Sequence, residues 1–600
     1  AIKTIVQWLE NCDYIIGHNI LNFDMYLIKD YYEMYGKGWK HLVSKVIDTN
    51  CLAKGVKYEI PYSQEMSLIE YQYRVLNERR KGVKTNLTSL GKEYSIEHDY
   101  ETLHDALNDL HSVQETERYW SITTGIWLQL FTELIVSRYM TLLQILQRYQ
   151  NLILISINPE STHRAPMNFR QHHEFLKSPT WNSVVYADLW ESVQSIQPIV
   201  GRHENHESVL VTKQASSSNR RAVISASYLP KYKEALLQLS FGAFPKRLKV
   251  VQAPEIPVNR EIRIKFPLTD ETLNPFENLA LSLVHAYLPT TWVEGFKELT
   301  NLCNVMEYPI APKVIFTSNR HLYDDVFNSW VAEATKRGSK LVIGQHGGFF
   351  GISKFPSYAE RHELSVADKY LTWGWRSSQV TVPAFVLTTG GKRVHRHSEG
   401  SQLLVVVDHL WSQPRTAFID LNETSGYLEH IKDTISLLPK EIQEETFIRI
   451  HHAHKETGNS QSMWWMKNLP AIKIDDWAKN FESVTTMSRL ILTAHNGTTF
   501  LETISKGIPT LITWTPEWVE IRDEAESIFS KLSEVGIFHE NPKSLARHIS
   551  NIWSDVDGWW QSDAVVNARS IFCDEYAKSN PRPLRFMRNA LSSTYKNAPR

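Results

Sequence analysis

A glycine-rich segment with a histidine at its centre has residue types that bind ligands and transfer protons. In IGQHGGFFG (343–351) an apolar run leads into Gln345, His346, Gly347 and Gly348. Because glycine permits positive φ and close approach of a ligand to the backbone, this turn is suited to ligand contact. His346 can serve either as a base on an acceptor hydroxyl or as a hydrogen-bond donor to a phosphate. The sequence leaves these two roles open.

Other ionisable residues follow this turn closely. Glu360, His362 and Glu363 are alternative bases. No Asp-x-Asp sequence suited to a metal-bound sugar nucleotide lies near these segments. Any group transfer here is therefore expected to be independent of a metal ion.

A second segment, LTAHNGTTFLETISKGIPTLITW (492–514), predicts a strand, a short polar turn and a helix. Four residues of the turn can present N–H groups and hydroxyls to a diphosphate at the helix N-terminus: Asn496, Gly497, Thr498 and Thr499. Glu502, one turn into the helix, could accept hydrogen bonds from ribose hydroxyls. The alternative is that Asn or Thr simply caps the helix without a ligand.

FIRIHHAH (447–454) places Arg449 and His451 on alternate positions of a strand, and hence on one face. A guanidinium is suited to bidentate contact with phosphate. The pair is similar to an R-x-H element that lines the donor phosphates in related polymer-forming transferases, which implies a donor-binding role for Arg449 and His451. The alternative for His451 is a solvated histidine or one satisfied within the core.

Near the start of the chain, Asn19-x-x-x-x-Asp24 is followed by His104-x-Ala-x-x-Asp109. Two-metal hydrolysis of nucleic acid uses about four carboxylates around a pair of Mg²⁺ or Mn²⁺ ions, with a nearby histidine as general base. An ordinary pair on a helix face is the alternative for His104 and Asp109.

Residues 1–114 resemble DEDDh-type 3′–5′ exonucleases, which have an RNase H-like fold and act on nucleic acid. The resemblance rests on these two motifs and on LTSLGKEYSIEHDYETLHDALNDL. It implies that Asp24 and Asp109 are metal ligands, that His104 is the general base, and that Asn19 is a polar contact. The family's opening Asp-x-Glu is missing from residues 1–18, so the resemblance implies an incomplete site that binds metal and single-stranded nucleic acid weakly.

Residues 115–600 resemble a family of transferases found in surface-carbohydrate gene clusters. The resemblance rests on ERYWSITTGIWL, KLVIGQHGGFFG, DKYLTWGW, HNGTTFLETISKGIPTLITW and DVDGWW. The family's first strand is missing here. The resemblance implies a GT-B-like glycosyltransferase that uses a nucleotide-sugar donor and a polysaccharide acceptor.

The elements that must position these residues alternate between strands and helices, which predicts parallel α/β layering. Helices are predicted at 274–288 and 323–338. Strands are predicted at 151–157, 183–189, 207–213, 313–318 and 340–345, and in a second series at 402–408, 446–452, 471–475, 489–494, 510–514 and 536–538.

This organisation predicts three units: an exonuclease-like fragment (1–114), an acceptor-side domain without its first strand (115–395) and a Rossmann-like donor domain (396–600). The Gly-, Ser- and charge-rich stretch 388–402 is the predicted linker. Two other interpretations stay open, namely a 3′–5′ exonuclease with an accessory C-terminal region and an inactive chimeric gene product.

The composition of the chain constrains its partners and its cellular location. A net charge of −1 provides no global field for nucleic acid or membrane. The four cysteines have no paired metal-ligand spacing and fit a reducing cytoplasm. The apolar stretch 122–146 contains Gln129, Glu133 and Arg138, whereas a membrane span needs about 20 nearly uncharged residues. The sequence thus predicts core-packed helices, no integral membrane segment, and a cytoplasmic or membrane-peripheral location.

Overall fold

The computed structural model describes most of the chain. The described residues are 10, 15–17, 29, 32, 38–48, 66–77, 101–146, 164–193, 221–264, 275–391, 400–408, 424–451, 460–475, 479–516 and 519–596. The strands predicted at 151–157 and 207–213, Asn19 and Asp24, and most of the predicted linker lie outside these residues.

A five-stranded parallel sheet of order β3-β4-β5-β6-β7 forms the first layer. Strand β4 is buried at every residue, and β5 at every residue except its first, as expected for strands covered by helices on both faces. The strands predicted at 313–318 and 340–345 are thus confirmed. The strands are β3 (Ala222–Ile224), β4 (Val314–Thr317), β5 (Lys340–Gly344), β6 (Lys369–Thr372) and β7 (Thr381–Pro383), and a separate parallel pair contains β1 (Ile15–Gly17) and β2 (Val46–Asp48).

Helices surround this sheet, and those predicted at 274–288 and 323–338 are confirmed. The α-helices are Leu68–Asn77, Glu101–His111, Glu117–Thr123, Gly125–Leu146, Phe169–Leu176, Pro179–Val193, Lys231–Ser240, Arg260–Ile264, Pro275–Tyr287, Phe296–Val305, Asp325–Lys336 and Tyr358–Val366. Short 3-10 helices span Lys40–Lys45, Thr290–Trp292 and Arg320–Leu322.

A six-stranded parallel sheet of order β10-β9-β8-β11-β12-β13 forms the second layer. The chain enters at β8, builds outward to β10, and then returns to build outward from β11, which is the doubly wound pattern. In such sheets, ligands bind beyond the carboxyl ends of the strands where the order reverses, here between β8 and β11. The strands are β8 (Gln402–Val406), β9 (Thr446–Arg449), β10 (Lys473–Ile474), β11 (Ser488–Thr493), β12 (Thr510–Thr513) and β13 (Phe538–His539).

All six strands of this sheet were expected from the sequence, because each is a short apolar run bounded by turn residues. Helices again cover both faces. They are Thr424–Ser436, Lys440–Glu444, Ser460–Asn468, Phe481–Met487, Thr498–Ser505, Asp523–Glu534, Pro542–Ile552, Val556–Gln561, Asp563–Tyr576 and Pro583–Lys596, with a 3-10 helix at Trp553–Asp555.

Within the described residues, the largest of three hydrophobic clusters reaches from the first layer into the second, and the two others lie in the second layer around β8, β9 and β11. The largest cluster includes Leu103 and Leu107 of the helix Glu101–His111 as well as Leu591 near the C-terminus. The last helix, Pro583–Lys596, packs against β4 and β5. The core therefore crosses the boundary predicted at residue 114, and the chain returns from the second layer to the first at its end.

One predicted strand is a helix. The run SVVYADL (183–189) lies inside the helix Pro179–Val193. Proline is well tolerated at the first position of a helix, and the Ser178 hydroxyl accepts a hydrogen bond from Trp181 N at 3.3 Å. The buried side chains at 181, 184, 185 and 189 recur at helical spacing. A short apolar run fits a buried strand or a buried helix equally well. Here Pro179 and the Ser178 hydroxyl favour the start of a helix.

The apolar stretch 122–146 packs in the core as helices, as expected. Its longest helix, Gly125–Leu146, buries Glu133 and Arg138. Glu133 pairs with Arg361, and Arg138 Nη2 donates to Asn182 Oδ1 at 2.8 Å. Within the described residues, no helix is long and apolar enough to cross a membrane.

Candidate functional site

Gln345 fixes the glycine-rich turn that follows β5. Its buried Nε2 donates to the Gly347 carbonyl at 2.8 Å. Its Oε1 accepts from Trp373 N at 2.8 Å and from Trp375 Nε1 at 2.9 Å. These bonds satisfy the buried amide, so Gln345 shapes the turn through protein contacts.

His346, next in the chain, lies beside a buried carboxylate. Its Nδ1 is 3.3 Å from Oε1 of Glu363, and the same oxygen is 2.9 Å from Nε2 of His321. Burial alone would raise the pKa of Glu363, but coulombic interactions and hydrogen bonds with His346 and His321 outweigh it and lower this pKa to about 2. Glu363 is therefore ionised near neutral pH. Its Oε1 lies within ion-pair distance of both imidazoles.

The two alternative bases near this turn are held by other contacts. Buried Glu360 forms an ion pair with Arg522 and accepts from Gly351 N at 3.3 Å. His362 Nε2 lies 2.8 Å from the Ser121 carbonyl, and burial lowers its pKa to about 4. Neither side chain is placed to meet a substrate, so His346 is the best-placed base of the set.

The loop after β3 brings Tyr228 to the same end of the sheet. Its ring centroid lies 6.2 Å from that of His346, and its hydroxyl accepts from Asn319 Nδ2 at 3.0 Å. Ala226 and Tyr228 have φ angles of 50° and 59°. Such backbone strain costs about 1–3 kcal/mol per residue and clusters at functional sites. The ends of β3, β4 and β5 thus place Tyr228, Asn319 and His346 together.

The polar turn of the second sheet lies where the strand order reverses, after β11. Gly497 is the N-cap of the helix Thr498–Ser505, and no side chain caps this helix. The capping role considered for Asn496 or a threonine is therefore not observed. Thr498 and Thr499 form the half-buried first turn of the helix. Among the described residues, the buried Oδ1 of Asn496 has no hydrogen-bond partner.

The two glycine-rich turns touch each other. A Cβ added to Gly348 would lie 1.9 Å from the carbonyl oxygen of Gly497, so only glycine fits there. Beside this contact, Asn496 Nδ2 donates to Ser353 Oγ at 3.1 Å, and Ser353 pairs with Ile521 as an antiparallel bridge. The carboxyl ends of the two sheets therefore face each other, with His346 and Asn496 on opposite sides.

Glu502 points from its helix toward the first sheet. Burial raises the pKa of its carboxyl, and the nearby Thr388 hydroxyl, from the loop after β7, partly opposes this shift. Glu502 and Glu363 both act electrostatically on Tyr228. Glu502 therefore belongs to the same cleft as His346.

Arg449 lies at the carboxyl end of β9. Its buried guanidinium pairs with Asp475 and lies 5.7 Å from the ring centroid of Phe481. The strand register aligns Arg449 with Val406 and Val406 with Thr493. The side chains of Arg449 and Thr493 therefore lie on the same face of the sheet, and Thr493 ends the strand that leads to the polar turn. Two strand spacings, about 10 Å, separate them. His451 is half-buried two residues further on.

The exonuclease-like residues are not brought together. Asn19 and Asp24 lie outside the described residues, while His104 is buried and Asp109 is exposed on the same helix. A five-residue separation turns the two side chains about 140° apart around the helix. The described part of the chain contains no group of three or more His, Cys, Asp or Glu that could hold a metal ion. The nuclease hypothesis therefore gains no support here.

The sequence missed His321, Tyr228 and Asn319 as site residues. They follow strands far apart in the chain, and only the sheet order brings them together. A cavity of about 1090 Å³ lies at the carboxyl ends of β12 and β13, lined in part by Trp514, His539 and Arg547. No motif predicted it, and it contains none of the predicted site residues.

Many solved structures are similar to this chain, and three of them, all with low TM-scores, serve as examples. They are the S. aureus MnaA–UDP co-structure (12% identity, TM-score 0.36, 63% of this chain and 98% of that chain), Anabaena Alr3699/HepE in complex with UDP (10%, 0.32, 63% and 99%) and Acinetobacter baumannii MurG (11%, 0.30, 62% and 99%). Scores this low support no inference about function. No curated protein is significantly similar to the chain.

A family comparison is more informative. The sequence profile described as LIC12162 family transferase matches residues 49–591. This span contains both glycine-rich turns, and it begins well before residue 115, inside the segment that resembles an exonuclease. The chain belongs to the LIC12162 transferase family.

Proposed function

We propose that this transferase moves a glycosyl or similar group from a nucleotide-activated donor to a surface-polysaccharide acceptor, in a GT-B-like cleft. The observation that carries the proposal is the meeting of the turns at Gly348 and Gly497, with His346 on one side. Family membership supports group transfer. The reversal of strand order between β8 and β11 supports nucleotide binding at this place.

In the proposed reaction, Nε2 of His346 takes the proton of an acceptor hydroxyl as that oxygen bonds to the anomeric carbon of the donor. The bond between the anomeric carbon and the diphosphate oxygen breaks, and the nucleoside diphosphate leaves with the electron pair. Glu363 is a positioning residue in this scheme, because its Oε1 lies 3.3 Å from Nδ1 of the imidazole. The scheme uses no metal ion.

The donor contacts follow from the second sheet. Uncapped N–H groups at Thr498 and Thr499 would bind the diphosphate, and Asn496 Oδ1 offers an acceptor beside them. Arg449, oriented by Asp475, would add a charge-assisted contact worth about 1.5–3 kcal/mol. His451 would line the phosphates next to it, and Glu502 would accept hydrogen bonds from ribose hydroxyls.

We also place the protein in the cytoplasm, in peripheral contact with a membrane. The described cysteines, Cys303 and Cys573, are free thiols, which fits a reducing compartment. The alternative of a 3′–5′ exonuclease that uses Mg²⁺ or Mn²⁺ is not part of the proposal, because no observation on the described residues favours it.

The test is release of nucleoside diphosphate from a panel of UDP-, GDP-, CDP- and dTDP-sugars, followed by mass spectrometry with and without EDTA. We expect one donor class to be turned over in EDTA. His346→Ala should lower turnover more than donor affinity, and Glu502→Gln should mainly weaken donor binding. If the wild-type protein neither binds nor cleaves any of these donors, the proposal fails.

A further inference from the structure

An apolar and basic surface lies on the first layer, between residues 228 and 250. Five large apolar side chains there are at least 48% exposed, and Phe244 is 83% exposed. They are Tyr232, Leu236, Leu239, Phe244 and Val250. All five lie on one helix and the ten residues that follow it. Apolar side chains scattered singly on a surface are ordinary, whereas larger exposed apolar patches mark interaction sites.

The helix Lys231–Ser240 contributes an apolar stripe to this surface. Tyr232, Leu236 and Leu239 are spaced at i, i+4 and i+7, and therefore share one face. The opposite face is already used, because Leu237 is buried in the core and Lys233 donates to the Gly390 carbonyl. The inner face of this helix packs in the protein core, so the apolar outer face is left to contact something outside the described chain.

Basic residues flank the stripe in the sequence. Residues 228–250 contain five basic residues and one acidic residue. Lys231, Lys246, Arg247 and Lys249 are exposed. The single acid, Glu234, accepts a hydrogen bond from Ser227 Oγ at 2.5 Å. Lys246 also pairs with exposed Glu307 at 3.2 Å, so the surface stays predominantly positive.

We propose that this surface binds the face of an anionic phospholipid bilayer, with Phe244 and the stripe entering the interface and the cations meeting lipid phosphates. Such a combination of apolar and basic groups is what interfacial binding requires. A second copy of the chain fits less well, because a two-fold contact would bring the same positive surface against itself.

The surface lies next to the proposed cleft. Tyr228, which is 6.2 Å from His346 by ring centroids, precedes the helix by only three residues. Docking would therefore bring the cleft close to the membrane, where an acceptor carried by a lipid would be found. This consequence rests on the proposed glycosyl transfer, whereas the membrane contact rests on the exposed side chains of this surface.

The test is co-sedimentation of the full chain with vesicles of phosphatidylcholine alone and of an equal mixture with phosphatidylglycerol. We expect binding only to the mixed vesicles, weakened by salt. Leu239→Ser and Phe244→Ser should each weaken it about tenfold, and Lys246→Gln about fivefold. Leu437→Ser is the matched control, since Leu437 and Leu239 are both 51% exposed, and it should leave binding unchanged.

Three results would overturn the proposal. The first is no binding to the mixed vesicles, and the second is equal weakening of binding by Leu437→Ser. The third is a protein that does not bind vesicles but forms a dimer in sedimentation equilibrium, with the dimer lost in Leu239→Ser. All variants are surface substitutions, so unchanged thermal unfolding confirms that each is folded. Donor turnover is measured separately in solution, and failure of either proposal is recognised independently of the other.

Discussion

Replacing Glu363 by glutamine tests how the proposed base is held. The folded protein lowers the pKa of this carboxyl from 4.5 to about 2. At about 1.36 kcal/mol per unit, this corresponds to roughly 3 kcal/mol of preference for the ionised form. This net preference is what remains after the cost of burial, and two histidines share the interaction that provides it. We therefore expect Glu363→Gln to lower kcat by about tenfold to 200-fold.

The assay is kcat and kcat/KM against pH with the donor that the panel identifies. Because a protonated imidazole loses a neighbouring anion, the acid limb of the profile should move to lower pH in Glu363→Gln. Glu360→Gln is the matched control: Glu360 is an equally buried carboxylate one turn earlier on the same helix, paired with Arg522. It should lower stability without moving the limb.

The same substitution has a consequence for acid stability. A carboxyl with a lowered pKa stabilises the folded state above pH about 4.5, and this contribution is lost as the pH falls toward 2. The difference in unfolding temperature between wild type and Glu363→Gln should therefore shrink over that range. If Glu363→Gln matches Glu360→Gln in kcat and in pH profile, then Glu363 serves only the fold and the reasoning about His346 is refuted.

Three further predictions follow from other residues. Gly348→Ala should reduce donor turnover at least tenfold while the protein stays folded, because its Cβ would meet the Gly497 carbonyl; unchanged kinetics would contradict the contact. Burial raises the pKa of Asp325 to about 7 from 3.8, so the ionised carboxylate destabilises the folded protein at alkaline pH. Asparagine at this position can still accept the hydrogen bond from Phe169 N, and Asp325→Asn should therefore raise the free energy of unfolding by up to about 4 kcal/mol at pH 8 and by nothing below pH 4. Denaturant titration at both pH values decides this. Degradation of single-stranded DNA with Mg²⁺ should stay at background, and robust 3′–5′ degradation abolished by Asp109→Ala would restore the nuclease hypothesis.

Local sequence patterns predicted the strands of the second sheet well, because buried parallel strands are continuous apolar runs with turn residues at their ends. In the first sheet they predicted β4 and β5 but missed β3, β6 and β7, which are only three or four residues long. The same reasoning failed at 183–189, where the apolar run belongs to a helix that begins at Pro179. Periodicity cannot distinguish a short buried strand from a short buried helix.

The candidate site was predictable only in part. The turns containing His346 and Asn496 follow apolar runs and carry glycine, so their exposure to a ligand could be expected. Their contact at Gly348 depends on how the two sheets face each other, and the position of His321 depends on strand order. Glu363 was recognised as an ionisable neighbour, but its placement 3.3 Å from His346 Nδ1 is a property of tertiary packing.

The resemblance of residues 1–114 to an exonuclease illustrates a different limit. A short motif specifies a local pattern, whereas burial is decided by the whole domain. In the structure, His104 faces inward on a helix whose Leu103 and Leu107 belong to the common core, and the family match already begins at residue 49.

The central claim, that a nucleoside diphosphate binds between the two sheets, is tested most directly by calorimetry with UDP, GDP, CDP and dTDP. We expect one of them to bind the wild-type protein, and Arg449→Ala to weaken that binding roughly ten- to a hundredfold, in line with a charge-assisted contact of about 1.5–3 kcal/mol. Arg263→Ala is the control, because Arg263 is also a buried arginine paired with a carboxylate, Glu294, but it lies in the helix Arg260–Ile264 and not on the second sheet. This variant should bind like the wild type. Absence of binding by all four nucleotides, or equal binding by wild type and Arg449→Ala, would contradict the account.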